Sequence, residues 1–177
     1  MDKQNFPEVA RTKETLLSYE SAHKFDKYDR AIIRVLSEDA RQNLADISKK
    51  VGLSRDAVRN RIQKLIKNKV ILNFKPILNP PAMGYPIINY VFIALHNPSA
   101  EQEKKFIAFM KAHKNITYVS SLIGKWDFII DVMAENPGRF NEVMKELRQN
   151  FSALIKDYEV YGVLEEYKYE TMAELIS

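Results

Sequence analysis

The chain has 177 residues, 46% hydrophobic and 28% charged, with 27 Lys+Arg against 23 Asp+Glu for a net charge of +4. These are the proportions of an ordinary globular protein, with enough chain for one large core or two small ones. The absence of cysteine excludes disulfides, thiolate zinc sites, iron–sulfur clusters and cysteine nucleophiles. The longest strongly apolar run, Val91 to Leu95, is far too short to cross a bilayer. Met1 to Ala10 mixes acids and bases without an apolar stretch, so no secretory signal is expected. The cytosol, with no membrane partner, is the default location.

In chain order, residues 1–24 show no sustained period and read as an N-terminal extension with at most one helical turn, over Thr15 to Tyr19. Asp26 is placed to cap a helix whose apolar positions are Tyr28, Ile32, Val35 and Leu36, widened by Ile33. Asp39-Ala40-Arg41-Gln42 breaks it. Asn43 then caps a short helix with Leu44, Ile47 and Val51 on its apolar face, and Asp46 complements its first turn. Gly52 stands where a left-handed residue ends that helix, and Ser54 caps the next, with Val58, Ile62, Leu65 and Ile66 facing inward. One helix therefore stops and another starts within Gly52-Leu53-Ser54. That corner predicts a helix-turn-helix, whose second helix can enter a DNA major groove. Val70 to Phe74 reads as a short strand, a wing, and Pro76, Pro80, Pro81 and Pro86 mark a linker.

Beyond the linker the period changes. Ile87 to His96 reads as a strand, and Ser99 caps a helix to about His113 with Gln102 completing a capping box. Ile116 to Ile123 and Trp126 to Ala134 form a hairpin across Gly124-Lys125. Asn136-Pro137 opens a helix striped by Phe140, Val143, Met144 and Leu147, and Ile155 to Tyr167 is a final strand. The order β-α-β-β-α-β is ferredoxin-like. The fold class is α+β: a winged helix-turn-helix domain over 25–75, a linker over 76–86, a ferredoxin-like domain over 87–167 and a tail over 168–177.

Two helices cover only one face of a four-stranded sheet. Yet Tyr90, Phe92 and Ala94 alternate with Val91, Ile93 and Leu95, and Ile129 and Met133 alternate with Phe128, Ile130 and Val132. The uncovered face is too apolar for a monomer, which makes this domain a dimerisation module covered by a second copy.

The charge is unevenly shared. Up to Lys75 there are 17 basic and 10 acidic residues, a net +7; beyond it there are 10 and 13, a net −3. Lys49 to Lys69 holds eight bases and the single acid Asp56. A solvated helix face accounts for such a run on its own; a tight turn before it favours double-stranded DNA as the partner. On the helix that starts after Ser54, the face opposite Val58 and Ile62 carries Asp56, Asn60, Gln63 and Lys67, flanked by Arg59 and Lys64, with Arg55 in the first turn. Arginine suits guanine edges and asparagine suits adenine. Arg55, Arg59 and Asn60 are the candidate base readers; Ser54, Gln63, Lys64 and Arg41 are candidate backbone contacts. Arg61 points nearer the core, toward an acidic partner.

The run Asp39-Ala40-Arg41, Gly52-Leu53-Ser54, Val58-Arg59-Asn60-Arg61-Ile62 and Val70-Ile71 resembles the Lrp/AsnC (feast/famine) transcriptional regulators. Gly124-Lys125-Trp126-Asp127 resembles their G-x-aromatic-D effector loop, with Trp126 where tyrosine is more usual. The resemblance covers roughly residues 25 to 167. It implies an N-terminal DNA reader and an AsnC-type C-terminal domain that forms homodimers and assembles further, often to octamers. It also implies a small-molecule effector, usually an amino acid, held in part by Gly124, Trp126 and Asp127. From spacing alone, a plain hairpin turn whose aspartate caps free amides is the better reading of that loop.

Catalytic chemistry finds little footing. His23, His96 and His113 fall in no metal-ligand spacing, no histidine is placed to serve Ser120 or Ser121, and no phosphate-cradling glycine loop occurs, so neither metal nor cofactor is expected. Sirohaem decarboxylases resemble the same family in both domains and form the enzyme alternative. An effector-sensing oligomer whose helix-turn-helix binds protein rather than DNA is the third reading.

Overall fold

Asp26 opens the first helix as its sequence position demands: its carboxylate accepts from the amides of Tyr28 and Asp29 at 2.8 and 2.9 Å, and the Asp29 carboxylate reaches back to the Asp26 amide. In the computed structural model, which describes residues 22–169 and 172–176, this helix is α1 (Lys27–Glu38). The turn expected over Thr15 to Tyr19 lies outside the described residues. α2 (Leu44–Val51) and α3 (Arg55–Lys67) follow, capped by Asn43 and Ser54. Their buried apolar residues are Ile32, Leu36, Ile47, Val51, Val58, Ile62 and Leu65. Full burial of one such side chain contributes about 1.5–3 kcal/mol.

Two units make up the chain: Met1–Pro76 with Lys168–Ser177, and Ile77–Tyr167. The expected tail therefore groups with the first unit, where its 3-10 turn Ala173–Leu175 lies beside α1.

The expected wing is absent. Residues 70–74 form no strand, because the described residues of this unit offer no second strand to pair with. Lys69 instead turns left-handed at φ 55°, and the amides of Val70 and Ile71 donate to the Leu65 carbonyl at 2.9 and 3.2 Å. Val70, Ile71 and Phe74 then pack on the helical core. Their apolar run reflects that burial, not a ladder.

The second unit holds β1 (Ile87–Leu95), α4 (Ala100–Ala112), β2 (Ile116–Ser121), β3 (Phe128–Ala134), α5 (Pro137–Phe151) and β4 (Ile155–Gly162). Ser99 and Gln102 form the capping box of α4, and Asn136 caps α5. The sheet is antiparallel in the order β2-β3-β1-β4, the ferredoxin-like arrangement. Four strand ends differ from expectation, the first by one residue, where β1 stops at Leu95 short of His96. β2 stops at Ser121 and β3 starts at Phe128, because the hairpin backbone opens around Gly124. β4 ends at Gly162, beyond which a single bond, from the Val163 amide to the Ile88 carbonyl, continues along β1.

Both helices lie on one side. Val91, Ile93, Ile130 and Val132 pack there with Phe106, Met110, Val143 and Leu147. Strand period two sends Ile88, Tyr90, Phe92 and Ala94 of β1 to the other side, with Ile129, Asp131 and Met133 of β3 beside them in register.

Candidate nucleic-acid interface and effector loop

The corner between α2 and α3 depends on one glycine. Gly52 sits at φ 69°, ψ 36°, and its amide and that of Leu53 both donate to the Ser48 carbonyl, at 3.0 and 3.2 Å. The Ser48 hydroxyl donates to the Leu53 carbonyl at 2.7 Å, tying both sides of the turn. Ser54 Oγ accepts from the Ala57 amide at 3.2 Å. Its own hydroxyl proton remains available to a phosphate oxygen.

All seven residues expected to meet DNA, namely Arg41, Ser54, Arg55, Arg59, Asn60, Gln63 and Lys64, are exposed. Six come from α3 and its cap; Arg41 comes from the α1–α2 corner, where its amide donates to Asp39 at 2.8 Å. Arg59 is engaged with Asp56, one turn back, at 2.6 Å; both side chains are open to water. Such a pair is held weakly, so the guanidinium can be redirected to a base edge at small cost.

Arg61 does different work. Its guanidinium meets Asp26 and Asp29 of α1, each at 2.7 Å. Burial acts against its charge, but the hydrogen bonds to Asp26 and Asp29 overcome it and leave the arginine pKa raised. The Asp29 amide, foremost, and Arg61 hold the Asp26 carboxyl below the usual range. Asp29 is buried, and His23 Nε2 lies 3.3 Å from its second oxygen. His23 Nδ1 in turn meets the Asn68 amide group at 3.0 Å, at the far end of α3. This network fixes the rotation of α3 against α1. Sequence reading gave Arg61 an acidic partner but missed Asp29 and His23; the Asp26-x-x-Asp29 spacing was the available signal.

In the second unit, the β2–β3 loop turns at Gly124, φ 148°, with open space where a side chain would begin. The Leu122 amide donates to the Asp127 carbonyl at 2.8 Å, and the Asp127 amide to the Ile93 carbonyl at 2.9 Å. Asp127 Oδ2 accepts from the Leu95 amide at 2.6 Å. One carboxylate oxygen is thus spent on bracing the loop to β1, the plain role expected of a turn aspartate.

Trp126 parts company with Asp127. It is half-buried and, with Tyr90, Phe92 and Tyr161, lines a shallow recess of about 340 Å³ on the outer sheet face. Phe92 contacts Tyr161 edge-on at 5.7 Å and Trp126 at 6.5 Å. The Lys125 ammonium lies 4.5 Å from the Trp126 ring and 3.1 Å from Glu159, and Tyr161 donates to the same Glu159 carboxylate at 2.6 Å. Sequence reading missed Tyr161, because strand pairing brings β4 beside β1 and no local spacing reports it.

One further group on this face escaped the sequence. Asp131 sits among apolar neighbours; burial foremost, and the charge of Glu166 after it, push its carboxyl up to about 6. Among the described residues no group of three or more His, Asp or Glu side chains is placed to hold a metal. No described helix is long and apolar enough to cross a membrane.

Comparison with known proteins fits both units. An AsnC-type helix-turn-helix domain matches residues 25–66, and an Lrp/AsnC ligand binding domain matches residues 89–173. A proline dehydrogenase transcriptional activator from Rhizobium radiobacter is 26% identical over 129 residues, covering 71% of this chain and 83% of that one. A crystal structure of an AsnC family transcriptional regulator from Agrobacterium tumefaciens superposes with a TM-score of 0.77 at 26% identity, covering 86% of this chain and all of the other. A transcriptional regulator from Neisseria meningitidis, solved as a complex with L-methionine, superposes with a TM-score of 0.76 at 18% identity over 86% of this chain.

Proposed function

The chain belongs to the Lrp/AsnC family of transcriptional regulators, and from that premise we propose that it reads double-stranded DNA with α3 and does so as a homodimer. The observation that carries the reading is the exposed face of α3. Arg55, Arg59 and Asn60 stand together near its N-terminal half, the part of a recognition helix that reaches base edges. Arg55 and Arg59 are assigned to guanine, Asn60 to adenine, and Ser54, Gln63, Lys64 and Arg41 to phosphates. The lysines and arginines around them supply the salt-dependent part of the affinity.

The outer sheet face is assigned to a second copy of the chain. Four aromatic rings, Ile88, Ile129 and Met133 make it more apolar than a monomer surface tolerates. Pairing through it places two α3 helices on half-sites, and four such dimers can build the octamers common in the family. An amino acid is the proposed effector, with Gly124, Trp126 and Asp127 as its candidate contacts; the methionine held by the Neisseria relative supports that class of ligand. The reading places the protein in the cytosol and asks for no cofactor. The decarboxylase alternative gains nothing from the two histidines of the second unit: His96 is exposed, and both ring nitrogens of His113 are engaged, by Glu146 at 3.2 Å and the Asn115 amide at 3.2 Å.

Gel-shift titration against salt tests the proposal. Contact with six or more phosphates predicts a loss of roughly a thousandfold in affinity between 50 and 200 mM salt. Binding insensitive to salt overturns the DNA reading. No binding at all, together with a ligand-dependent change of size, favours the effector-sensing oligomer instead.

A further inference from the structure

A carboxylate occupies the middle of the face assigned to the second copy. Asp131 lies on β3, a central strand, between Ile129 and Met133, and register sets Tyr90 of β1 on one side of it and Tyr118 of β2 on the other. After β4, the bond from the Val163 amide to Ile88 keeps the chain beside β1, and the Tyr90 hydroxyl meets Glu166 at 3.4 Å. The titratable groups that face Asp131 are therefore two phenols, Tyr90 and Tyr118, and one carboxylate, Glu166; α4 and α5 pack on the opposite side of the sheet. No cation acts on it among the described residues: burial and Glu166 are the causes of its shift. Lys125, the ammonium over Trp126, is engaged with Glu159.

We propose that proton uptake by Asp131 controls self-association through the outer sheet face: the neutral acid lets two sheets meet, and the carboxylate with Glu166 beside it drives them apart. The proposal rests on the reading of this face as the dimer surface. Half of the argument is desolvation. An isolated carboxylate taken out of water is costly, whereas a neutral acid can be buried with a hydrogen bond to a phenol or to the facing Glu166. The other half is repulsion, since a two-fold contact brings Asp131 and Glu166 of both copies onto one interface. A carboxyl already raised to about 6 in the single chain rises further when covered, so closure draws protons from solvent. By linkage, association that takes up protons tightens as pH falls.

Sedimentation of the full chain over a concentration series, at about pH 8 and about pH 5, measures the effect. If covering the face raises each Asp131 by one further unit, the dimer dissociation constant falls by about a hundredfold between those conditions. Asp131→Asn is expected to give a pH-independent dimer, as tight at the higher pH as the natural chain is at the lower, and Glu166→Gln to remove part of the dependence. Where dilution does not reach dissociation, the concentration dependence of the urea midpoint reads the same constant. A dimer whose affinity ignores pH, or follows it equally in Asp131→Asn, overturns the proposal and leaves the dimer reading standing. Absence of self-association in both proteins at both pH values overturns the dimer reading and the proposal with it.

Discussion

Arg59 and Arg61 stand two residues apart on α3 and are predicted to fail in opposite ways. Arg61→Ala removes the partner of Asp29, a buried carboxylate, and of Asp26. Breaking a buried ion pair costs about 3–5 kcal/mol. Asp26 is half open to water and Asp29 keeps the His23 contact at 3.3 Å, so about 2–3 kcal/mol is expected here after allowing for solvent screening. Arg59→Ala breaks only an exposed pair one turn apart, worth about 0.2–0.5 kcal/mol. If Arg59 reads a guanine, however, its loss costs about 1–3 kcal/mol of binding, roughly 5- to 150-fold, and relaxes preference at that base. Urea unfolding followed by far-UV circular dichroism reports the helices of both units, so the part of its transition that Trp126 fluorescence does not follow belongs to the first unit. The chain's one tryptophan, Trp126, lies in the second unit, so its fluorescence serves as an internal control. The expected pattern is a first unit weakened by Arg61→Ala with base preference intact, and a normal first unit in Arg59→Ala with specific binding lost. Unchanged stability in Arg61→Ala, or full specific binding in Arg59→Ala, refutes the assignment of that arginine.

Other substitutions test the two turns and the outer face. Gly52→Ala meets no steric contact, but its positive φ costs an L-residue about 1–2 kcal/mol, measurable as a lower urea midpoint of the first unit. Asp127→Ala strips the acceptor from the Leu95 amide and is expected to cost about 1–2 kcal/mol in the second unit. It should also abolish any amino-acid-induced thermal shift; a shift of undiminished size removes Asp127 from the effector site. Asp131 binds its proton more tightly folded, at about 6, than at its ordinary 3.8, so its contribution is fully favourable below about pH 4 and falls away as pH rises through about 6. Because the group is only partly buried, solvent screening holds the fall to about 1–2 kcal/mol. Asp131→Asn should flatten that part of the stability profile, and an unchanged profile contradicts the burial argument.

Local chemistry made much of this molecule readable. Caps at Asp26, Asn43, Ser54, Ser99 and Asn136 announced five helices because each satisfies free amides within a few residues of itself. Gly52 disclosed the helix-turn-helix by the same logic of backbone need. Residues 70–74 misled because an apolar run can be buried against helices as well as paired in a ladder, and spacing does not separate the two. Tyr161, Asp131 and Glu166 stayed hidden because their meaning comes from cross-strand neighbours, set by register across β1 and not by sequence distance. At the loop, Gly124 and Asp127 were legible as a turn, but only the fold reveals that Asp127 braces β1 while Trp126 faces the aromatic recess.

Selection of bound DNA from a random pool is the most direct test of the central claim. The account predicts enrichment of a two-fold symmetric site, guanine and adenine prominent in each half, with half-site centres about one helical turn (10–10.5 base pairs) apart or a multiple of it. Recovery of no common sequence, or of a site unaffected when Arg55, Arg59 and Asn60 are replaced together, contradicts it.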